Sequence, residues 1–439
     1  MKSKLKYGVV VATLAIYLSV SFGTLVEPEL TGAEKQIAYN KGTTSISESN
    51  LTEQDFFKPM YHENRRMLED CEASDDSERL QTLIDTLSYS GGGIITIKEG
   101  TYYLADIALK SNLHIVVEAG TVLKAYAPEM QPDAKKVKDG EDPYPKFYMF
   151  KLGFEDKGNA YEPIHNVSIT CTSEEGYTID LTGTPHYTMT AFKVSEVDNF
   201  QISDVIIQEK ESKFAAITVG AVNNTTSNGI FKNIKAYNNF YGYGLCQLQS
   251  GQNLYFENIY GEGGATLRLE SGTSDGLENP PVLDNIYARG VICEGGKVAF
   301  MTGPHEVDHG HFDVRGVSAY NSGFAVNLGK GFGARAGSFA PTSTVSDIKA
   351  VYGESSQLKV KDIVYMLEPL RTKVKEVHTM SPVIEKIYTG PSIAAVLDDA
   401  NYKVNYDPET IVVEDFLPYG KADRRVITQA DQAGKWKTN

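Results

Sequence analysis

The sequence predicts an all-β fold, a parallel β-helix in which the chain winds through successive stacked coils. The main observation is a repeat, in which a polar residue or glycine followed by valine or isoleucine returns every 25–31 residues. Such a period is typical of solenoids, and the signatures of leucine-rich repeats and propellers are missing. We expect asparagines of this repeat to stack in ladders. The repeated pairs are Asp204-Val205, Asn233-Ile234, Asn258-Ile259, Asn285-Ile286, Gly316-Val317 and Asp347-Ile348.

A capping helix is predicted at residues 76–88. Four apolar residues recur there at helical spacing after Ser74 and Asp75, either of which can act as the N-cap. Three glycines then end the helix and a strand begins at Ile94. This order resembles the first coil of right-handed parallel β-helices of the pectin-lyase type, where a helix covers the open end of the solenoid. The apolar residues of the helix are Leu80, Leu83, Ile84 and Leu87.

We expect four segments along the chain. Residues 1–23 are a signal peptide, residues 24–70 a loose N-terminal extension, residues 71–395 the β-helix catalytic domain, and residues 396–439 a final strand or two and a polar tail. Within the domain, residues 126–163 form a charged insertion that is too long for an ordinary turn. This insertion is either a rim of the binding groove or a passive loop.

The signal peptide is predicted from three lysines, an apolar run from Val9 to Val20, and a tail of small residues that ends at Gly23. These features predict a secreted, extracellular protein. The apolar run is short for a membrane span, so we expect no membrane anchor. Retention of the segment as an anchor is the alternative.

Composition and charge restrict the partners. The chain has 439 residues, of which 41% are hydrophobic, and a formal net charge of −15. An acidic protein is a poor general binder of nucleic acid, so no nucleic-acid partner is expected, and we expect a monomer. The four cysteines follow no zinc or redox spacing. Cys171, Cys246 and Cys293 lie in apolar strand-like segments, which favours buried thiols over a disulfide.

One short phrase is written three times and marks the candidate site. The copies are GYGLCQLQSG from Gly242, GGATLRLESG from Gly263 and the shorter GGKVAFMTG from Gly295. Each reads as a strand that ends in a polar turn. Because side chains alternate along a strand, Arg268 and Glu270 point outward together if the leucines beside them point into the core.

Stacking of the coils extends this outward-facing pair into a patch. The same register places Gln247 beside Arg268 and Gln249 beside Glu270. Glutamine, arginine and glutamate then form one polar patch on an otherwise regular surface, and this patch is where we place the chemistry. Gln247 as a member of a polar ladder without catalytic duty is the alternative.

Six residues of this region resemble the iota-carrageenases of glycoside hydrolase family 82. In that family a Gly-Tyr pair, a glutamine, an arginine, the catalytic glutamate and a histidine occur in this order and at close to this spacing. The resemblance extends loosely over residues 70–390. It implies endo-hydrolysis of β-1,4 linkages in iota-carrageenan, a sulfated red-algal galactan, with inversion at the anomeric carbon. The matching residues are Gly242, Tyr243, Gln247, Arg268, Glu270 and His305.

The implied reaction assigns roles to two of these residues. Inversion needs a protonated carboxylic acid at the glycosidic oxygen and a base roughly 6.5–9.5 Å away that activates water on the opposite face. Glu270 fits the acid by position, and partial burial and nearby sulfates are expected to favour its protonated form. Arg268 is expected to bind a substrate sulfate, because its planar fork suits oxyanions. An ion pair with Glu270 is the alternative for Arg268.

The general base departs from the family pattern. Family members carry a Glu-x-Asp pair with the aspartate as base, and this chain has Gly272 at that position. We therefore predict that Gln247 and His305 hold the attacking water. Asp275 or Asp308 as the direct base is the alternative.

Further substrate contacts are expected around the patch. Tyr243 either stacks on a sugar or packs against its neighbours. Residues 329–335 are rich in glycine and basic but lack the phosphate-loop pattern, which favours a sulfate-binding rim. The other predicted substrate-binding residues are Gly242, Gln249, Lys330 and Arg335, with Lys297 as an additional basic contact.

No cofactor is expected for the chemistry. His305, His309 and His311 with Asp308 have some metal-ligand character, but loop histidines usually have other roles. Structural calcium or other ions in the turns fit this type of fold. The sequence assigns no ligands to them.

Two other functions fit the same fold. A polysaccharide lyase would use Arg268 as base, acidic residues for calcium and a uronic-acid substrate. A non-catalytic polysaccharide-binding protein would leave Glu270 dispensable. Polygalacturonase-type hydrolases are disfavoured, because residues 308–311 only partly match their Gly-His-Gly motif and no matching Asp-Asp pair is visible.

Overall fold

The computed structural model shows a parallel β-helix with one helix at its N-terminal end, which confirms the predicted fold class. No helix in the described part of the chain is long and apolar enough to cross a membrane. The predicted signal peptide lies outside the described residues. The structure describes residues 45–46, 51–127, 131–139, 143–153, 163–220, 226–271, 278–377, 386–420 and 423–436.

Strands make up nearly half of the described chain. Two of them, β15 and β16, are 22 and 20 residues long and run through more than one face of the solenoid. The strands are β1 (Ser45–Ile46), β2 (Leu51–Thr52), β3 (Arg65–Leu68), β4 (Gly93–Ile97), β5 (Thr101–Leu104), β6 (Ile107–Ala108), β7 (Leu113–Val117), β8 (Val122–Ala125), β9 (Phe147–Leu152), β10 (Ile164–Cys171), β11 (Tyr177–Asp180), β12 (Met189–Val194), β13 (Val197–Gln208), β14 (Ile217–Val219), β15 (Ser227–Leu248), β16 (Gly251–Glu270), β17 (Leu283–Glu294), β18 (Val298–Gly303), β19 (Phe312–Tyr320), β20 (Phe324–Leu328), β21 (Thr344–Val351), β22 (Ser356–Leu358), β23 (Lys375–Val377), β24 (Ile387–Gly390), β25 (Val396–Asp398), β26 (Val412–Glu414) and β27 (Val426–Ile427).

The helices are few and short. Only the first is longer than two turns, and single 3-10 turns lie at Glu53–Asp55, Pro408–Thr410, Leu417–Tyr419 and Gln429–Asp431. The α-helices are α1 (Ser77–Tyr89), α2 (Ala134–Asp139), α3 (Val360–Ile363) and α4 (Glu368–Arg371).

Three parallel sheets run along the solenoid. The first contains β3, β4, β7 and β10, followed by the first halves of β13, β15, β16, β17, β19 and β21. The second contains β5, β8 and β11, the later parts of the same long strands, and β26. The third contains β6, β9, β12 and β14, the ends of β15 and β16, and then β18, β20, β25 and β27. Parallel crossovers of this kind are right-handed as a rule.

Alternate residues of these strands fill the interior of the solenoid. Like residues stack there from coil to coil, as Phe231 and Phe256 do with parallel rings 4.7 Å apart. The core is continuous from α1 to the last coils. Burial of this apolar surface, at about 25 cal/mol per Å², is the main force that holds the coils together.

The helix α1 covers the first coil, as predicted. It buries Leu80, Ile84 and Leu87 against the core, and it begins one residue later than expected, with Asp76 as its N-cap. The Asp76 carboxylate accepts a hydrogen bond from the Tyr103 backbone, 3.0 Å away, so it ties the helix to the second coil.

The coils turn between the first and second sheets at residues in the left-handed conformation. The φ angle is 59° at Asp204, 52° at Asn233 and 52° at Asn258. Asparagine and aspartate tolerate this conformation better than most residues. The Asn258 amide donates to Asn233 at 3.0 Å, and the Asn233 amide donates to Asp204 at 2.8 Å. The predicted asparagine ladders are confirmed.

One member of the predicted repeat is out of register. Val291, not Ile286, pairs with Ile259 of the preceding coil, and the corner before it is Gly290, with a φ angle of 74°. Asn285 belongs to a second ladder of corners, at the start of the first sheet. Both ladders place a polar residue before a branched one, so the sequence pattern does not separate them.

The described part of the N-terminal extension is packed on the solenoid, not loose as predicted. Phe56 and Phe57 are buried on the outside of the first sheet, against Ile230 and Tyr255. The backbone of the same segment hydrogen-bonds to the second asparagine ladder, for example from Lys58 N to an oxygen 2.6 Å away on Asn199.

The predicted insertion is shorter than 126–163. Its last part, β9, pairs with β6 and β12 and belongs to the third sheet. The charged residues before β9 concealed this strand in the sequence. The stack also continues beyond residue 395 through three short strands that end at Ile427, where one or two were expected.

A small outer subdomain, described at residues 356–377 and 386–390, lies against the outward side of the third sheet. It contains β22, α3, α4, β23 and β24, and its three strands are antiparallel. Its apolar side chains pack on the third sheet at the level of the candidate site as well as beyond it, since Ala265 belongs to the same apolar cluster and Ile387 packs with Tyr241. The contact includes Leu358, Ile363 and Met366 from the subdomain and Val298, Met301 and Phe324 from the sheet.

Candidate active site

The predicted polar patch lies on the outward face of the third sheet, where β15 and β16 end. Gln247 pairs in register with Arg268, and Glu270 pairs with Gly303 of the next coil. The two leucines beside Arg268 are fully buried in the core. The predicted pairing of Gln247 with Arg268 and the predicted inside-outside alternation are therefore confirmed.

Glu270 is contacted by three of the predicted residues. Its Oε2 atom accepts an ion pair from Arg268 and lies 3.4 Å from the Gln247 amide nitrogen, while its Oε1 atom lies 3.1 Å from Nε2 of His305. The Glu270 side chain is only 15% exposed. A half-buried carboxyl group with a histidine and an amide at its oxygens can hold or exchange one proton at a fixed place.

Arg268 contacts Glu270, the backbone and an aromatic ring at the same time. Its guanidinium donates to the Gly242 carbonyl and lies 5.5 Å from the centre of the Tyr243 ring. Its Nε atom is buried and has no hydrogen-bond partner among the described residues. Burial lowers the pKa of Arg268 to about 10, which leaves the guanidinium charged at neutral pH.

Arg268 forms the ion pair with Glu270 that the sequence analysis gave as the alternative to sulfate binding, and its predicted contact with a sulfate stays a prediction. The two side chains project from the same face of β16, two residues apart, and they form an ion pair. An adjacent positive charge favours the ionised form of a carboxylate, which is the wrong form for a proton donor. A proton-donor role for Glu270 would therefore require a change at Arg268.

His305 is fixed by its backbone. It follows the end of β18 with a φ angle of 51°, in the left-handed region. Its carbonyl accepts hydrogen bonds from the backbone of Phe332, at 2.9 Å, and of Gly337, at 2.7 Å. The Phe332 ring packs on the imidazole with 4.4 Å between ring centres. The loop after β20 thus holds the histidine at Glu270.

Gly303 is a site residue that the sequence analysis missed. A β-carbon at this position would lie 3.2 Å from Cγ and 3.3 Å from Oε1 of Glu270, closer than most such contacts. The glycine therefore leaves the carboxyl group its space on one side. The signal was available, since Gly303 ends the third copy of the repeated phrase.

The predicted basic rim lies in the loop that holds His305, and its charges are partnered. Lys330 is 48% exposed and lies 3.9 Å from Asp399, and Arg335 is 77% exposed and paired with Asp308. Hydrogen bonds from Ser338 and Arg335 lower the pKa of Asp308. A carboxyl group held ionised in this way is a weak base.

Lys297 is not an exposed sulfate contact. It is 2% exposed, and its ammonium lies 5.3 Å from the centre of the buried Tyr241 ring, beneath the outer subdomain. Burial lowers the pKa of Lys297 to about 7. The sequence placed Lys297 at the surface because it precedes an apolar strand, but the subdomain that covers it comes 60 residues later in the chain.

The remaining predicted residues lie around Glu270 or outside the described chain. Tyr243 packs against Phe240, and the Arg268 guanidinium lies over its ring. Gln249 is half-buried just beyond the end of β15. Asp275 lies outside the described residues, so its prediction as base is not tested by this structure.

The metal alternative gains no support from the geometry. Among the described residues, no group of three or more His, Cys, Asp or Glu side chains is arranged to hold an ion. His309 accepts a backbone hydrogen bond from Leu283, 3.0 Å away, and is buried. All four cysteines are free thiols, and Cys71 is the exposed one.

Comparison with known proteins relates this chain to the iota-carrageenases. It is 30% identical over 286 residues to the iota-carrageenase of Alteromonas macleodii, a match that covers 62% of this chain and 52% of that protein. It is 31% identical over 267 residues to the iota-carrageenase of Zobellia galactanivorans, over 59% of this chain and 50% of that protein. The chain thus spans about half the length of the curated relatives it matches. No protein-family model matches the chain.

A solved structure agrees with the same relationship. A 1,3-alpha-1,4-beta-D-galactose-4-sulfate-3,6-anhydro-D-galactose-2-sulfate 4 galactohydrolase superposes with a TM-score of 0.76 at 25% identity, over 90% of this chain and 97% of that chain. Its fold is the right-handed parallel β-helix, as predicted for this chain. By sequence and fold, this chain is similar to the iota-carrageenases.

Proposed function

We propose that the protein is an endo-hydrolase that cleaves β-1,4 linkages of iota-carrageenan with inversion. The observation that carries the proposal is the Glu270 carboxyl group, half-buried on an open sheet face, with Arg268, Gln247 and His305 at its two oxygens. The related proteins are named iota-carrageenases, and the solved relative is named a galactohydrolase of a sulfated galactan.

Substrate binding would change the state of the acid. A sulfate ester that takes up the Arg268 guanidinium would remove the positive charge from Glu270 and supply an acceptor for the buried Nε. Loss of that charge favours the protonated carboxyl group, which can then donate to the glycosidic oxygen. The substrate's own sulfate would thus prepare the acid that cleaves it.

The attacking water is assigned to Gln247 and His305. Both side chains contact Glu270 in this structure, at 3.4 and 3.1 Å, whereas an inverting base stands roughly 6.5–9.5 Å from the acid. The sugar must therefore enter between Glu270 and this pair. If the contact stays closed, His305 is the proton partner of Glu270, and Asp275 is the remaining candidate for the base.

The lyase alternative is disfavoured by the state of Arg268. Its guanidinium is ion-paired and, with a pKa of about 10, charged at neutral pH, so it is a poor base for proton abstraction. The third candidate, a non-catalytic binding protein, would not need a carboxyl group with a partner at each oxygen.

Digestion of iota-, kappa- and lambda-carrageenan tests the proposed function. We expect new reducing ends from iota-carrageenan, no ultraviolet-absorbing unsaturated ends, and an inverted anomeric configuration in the first product seen by NMR. Unsaturated ends would indicate a lyase. Binding of iota-carrageenan without turnover would indicate a binding protein.

We also propose that the enzyme is secreted, with residues 1–23 as the signal peptide, and that it acts as a monomer without a cofactor. Its partner would be the sulfated polysaccharide. Mass determination of the exported protein and its size in solution test these points. A bound structural calcium ion would be found by elemental analysis of the purified protein.

A further inference from the structure

Phe332 is exposed beside the acid. Its side chain is 49% exposed, which is unusual among the large apolar side chains of the described chain. It belongs to the loop of residues 329–337 that follows β20. One side of its ring packs on His305, and the exposed area of the ring has no such cover. An exposed aromatic ring beside a group of polar side chains is suited to a ligand that has both an apolar face and polar groups.

The loop that carries Phe332 is held at several points. The Phe332 amide donates to the His305 carbonyl at 2.9 Å, the preceding amide of Gly331 donates to Asn401 at 2.9 Å, and the Gly337 amide donates to His305 at 2.7 Å. The ring is therefore placed before any ligand arrives. A preformed contact surface loses little conformational entropy on binding.

The position of Phe332 relates it to the bond that is cleaved. Its ring centre lies 4.4 Å from that of His305, and the imidazole lies 3.1 Å from Glu270. A sugar whose linkage oxygen is at Glu270 would bring its own ring, or that of its neighbour, within reach of Phe332. The cations Lys330 and Arg335 lie two and three residues away in the chain, on the same loop.

We propose that Phe332 is a substrate-contacting residue, an aromatic platform for the apolar face of the galactan ring next to the cleaved linkage. Galactose and anhydrogalactose rings carry patches of C–H groups that pack on aromatic faces, and this contact does not depend on sulfate. The loop then combines one sulfate-independent contact with two cations for the sulfate esters. This inference rests on the proposed function for the identity of the sugar.

The platform is tested with Phe332→Ala, Phe332→Leu and Phe332→Tyr, assayed on iota-carrageenan. Loss of an aromatic contact of roughly 0.5–1.5 kcal/mol corresponds to a rise of roughly 2- to 10-fold in KM for the alanine variant. We expect the tyrosine variant to keep the wild-type KM and the leucine variant to show a KM between those of the wild type and the alanine variant. Tyr320→Ala removes another exposed aromatic side chain, 38% exposed, and serves as the matched control.

Binding measurements separate the platform from catalysis. Affinity for iota-carrageenan and agarose oligosaccharides is measured in the Glu270→Gln background, with and without Phe332→Ala, and unfolding temperatures confirm that each variant is folded. An equal loss of affinity for both galactans supports the platform even if no turnover is found, in which case only the proposed hydrolysis fails. Unchanged KM and unchanged affinity in the folded alanine variant would overturn the platform. Absence of binding to any galactan by the parent protein would overturn both proposals.

Discussion

The Nε2 atom of His305 lies 3.1 Å from Oε1 of Glu270, although 35 positions separate the two residues in the chain. Local structure along the chain does not bring the two side chains together. Glu270 lies at the end of β16. His305 lies one coil later, has a left-handed backbone conformation, and is held in position by the loop that carries Phe332. The contact is thus a product of coil stacking, and it makes the protonation of the acid depend on two coils.

Replacement of Glu270 by glutamine should abolish turnover without unfolding the protein. The amide keeps the size of the side chain and removes the proton donor, so we expect a loss of ~10²- to 10⁴-fold in kcat. Release of reducing ends measures the loss, and thermal unfolding measures the fold. Near wild-type turnover in a folded variant would refute the assignment of the acid.

The base is identified by comparing His305→Ala with Asp275→Asn. We expect the histidine variant to lose at least ~10²-fold in rate with little change in substrate affinity, and the asparagine variant to remain active. Azide, an external nucleophile, should restore inverted product in the variant that lacks the group serving the water. If Asp275→Asn is the inactive variant, the water is not served by the histidine.

Arg268→Lys should weaken binding of sulfated substrate. Lysine keeps the charge but loses the planar fork that contacts Glu270, Gly242 and the incoming sulfate, and a hydrogen bond to a charged group is worth roughly 1.5–3 kcal/mol. The expected rise in KM is roughly 10- to 100-fold. Wild-type affinity should also fall with rising salt, since charges are screened over about 8 Å at 0.15 M. Equal wild-type activity on a desulfated galactan would contradict a sulfate contact.

Gly303→Ala should impair the reaction more than the fold. The added β-carbon would lie 3.2–3.3 Å from the Glu270 side chain and displace it. Misplacement of a catalytic group by a fraction of an ångström to one ångström corresponds to a loss of roughly 10- to 100-fold in kcat. Gly183→Ala is the control, because the space around that glycine is open. Equal activity of both variants would show that the clearance at Glu270 is unimportant.

Lys297 makes folding stability depend on pH in a defined direction. Burial lowers its pKa in the folded protein to about 7, below the value of about 10.4 in an unfolded chain. Between these values the unfolded chain binds more protons, so the contribution of Lys297 to the free energy of unfolding rises with pH. Lys297→Met should therefore gain most over wild type near and below pH 7 and lose the advantage towards pH 10. Denaturant unfolding at several pH values measures this, with the exposed Lys403→Met as control. A difference that does not change with pH would contradict the assignment.

The solenoid and its catalytic face could be predicted because each depends on short-range patterns. The alternation of side chains in the segment TLRLES determines which side Arg268 and Glu270 face. The similar sequences of two neighbouring coils place Gln247 beside Arg268. In a solenoid, residues at equivalent positions of successive repeats lie next to each other, so similar sequences in neighbouring coils predict spatial contacts. The capping helix followed from the same kind of local signal.

The missed features come from contacts that no local pattern encodes. Asn285 and Gly290 lie at different corners, and at both corners a polar residue or glycine precedes a valine or isoleucine. Only the pairing of the strands distinguishes the two corners. Lys297 is buried by a subdomain that follows much later in the chain. The Arg268–Glu270 ion pair depends on the rotamers of two long side chains, which the alternation of side chains along a strand leaves open.

The stacking of strand ends along one edge of the third sheet bears on how the chemistry at this face could change. The chain leaves that edge after Leu248, after Glu270 and after Gly303, at levels about 4.8 Å apart. A group supplied by one loop can therefore be replaced by a group from the loop above or below without any shift of the strands. By the resemblance described above, Gly272 takes the place of an aspartate, and the neighbouring levels present the side chains of Gln247 and His305 beside Glu270. In a parallel β-helix, a catalytic role can therefore pass from a residue of one coil to a residue of the next coil while the stacked strands stay unchanged.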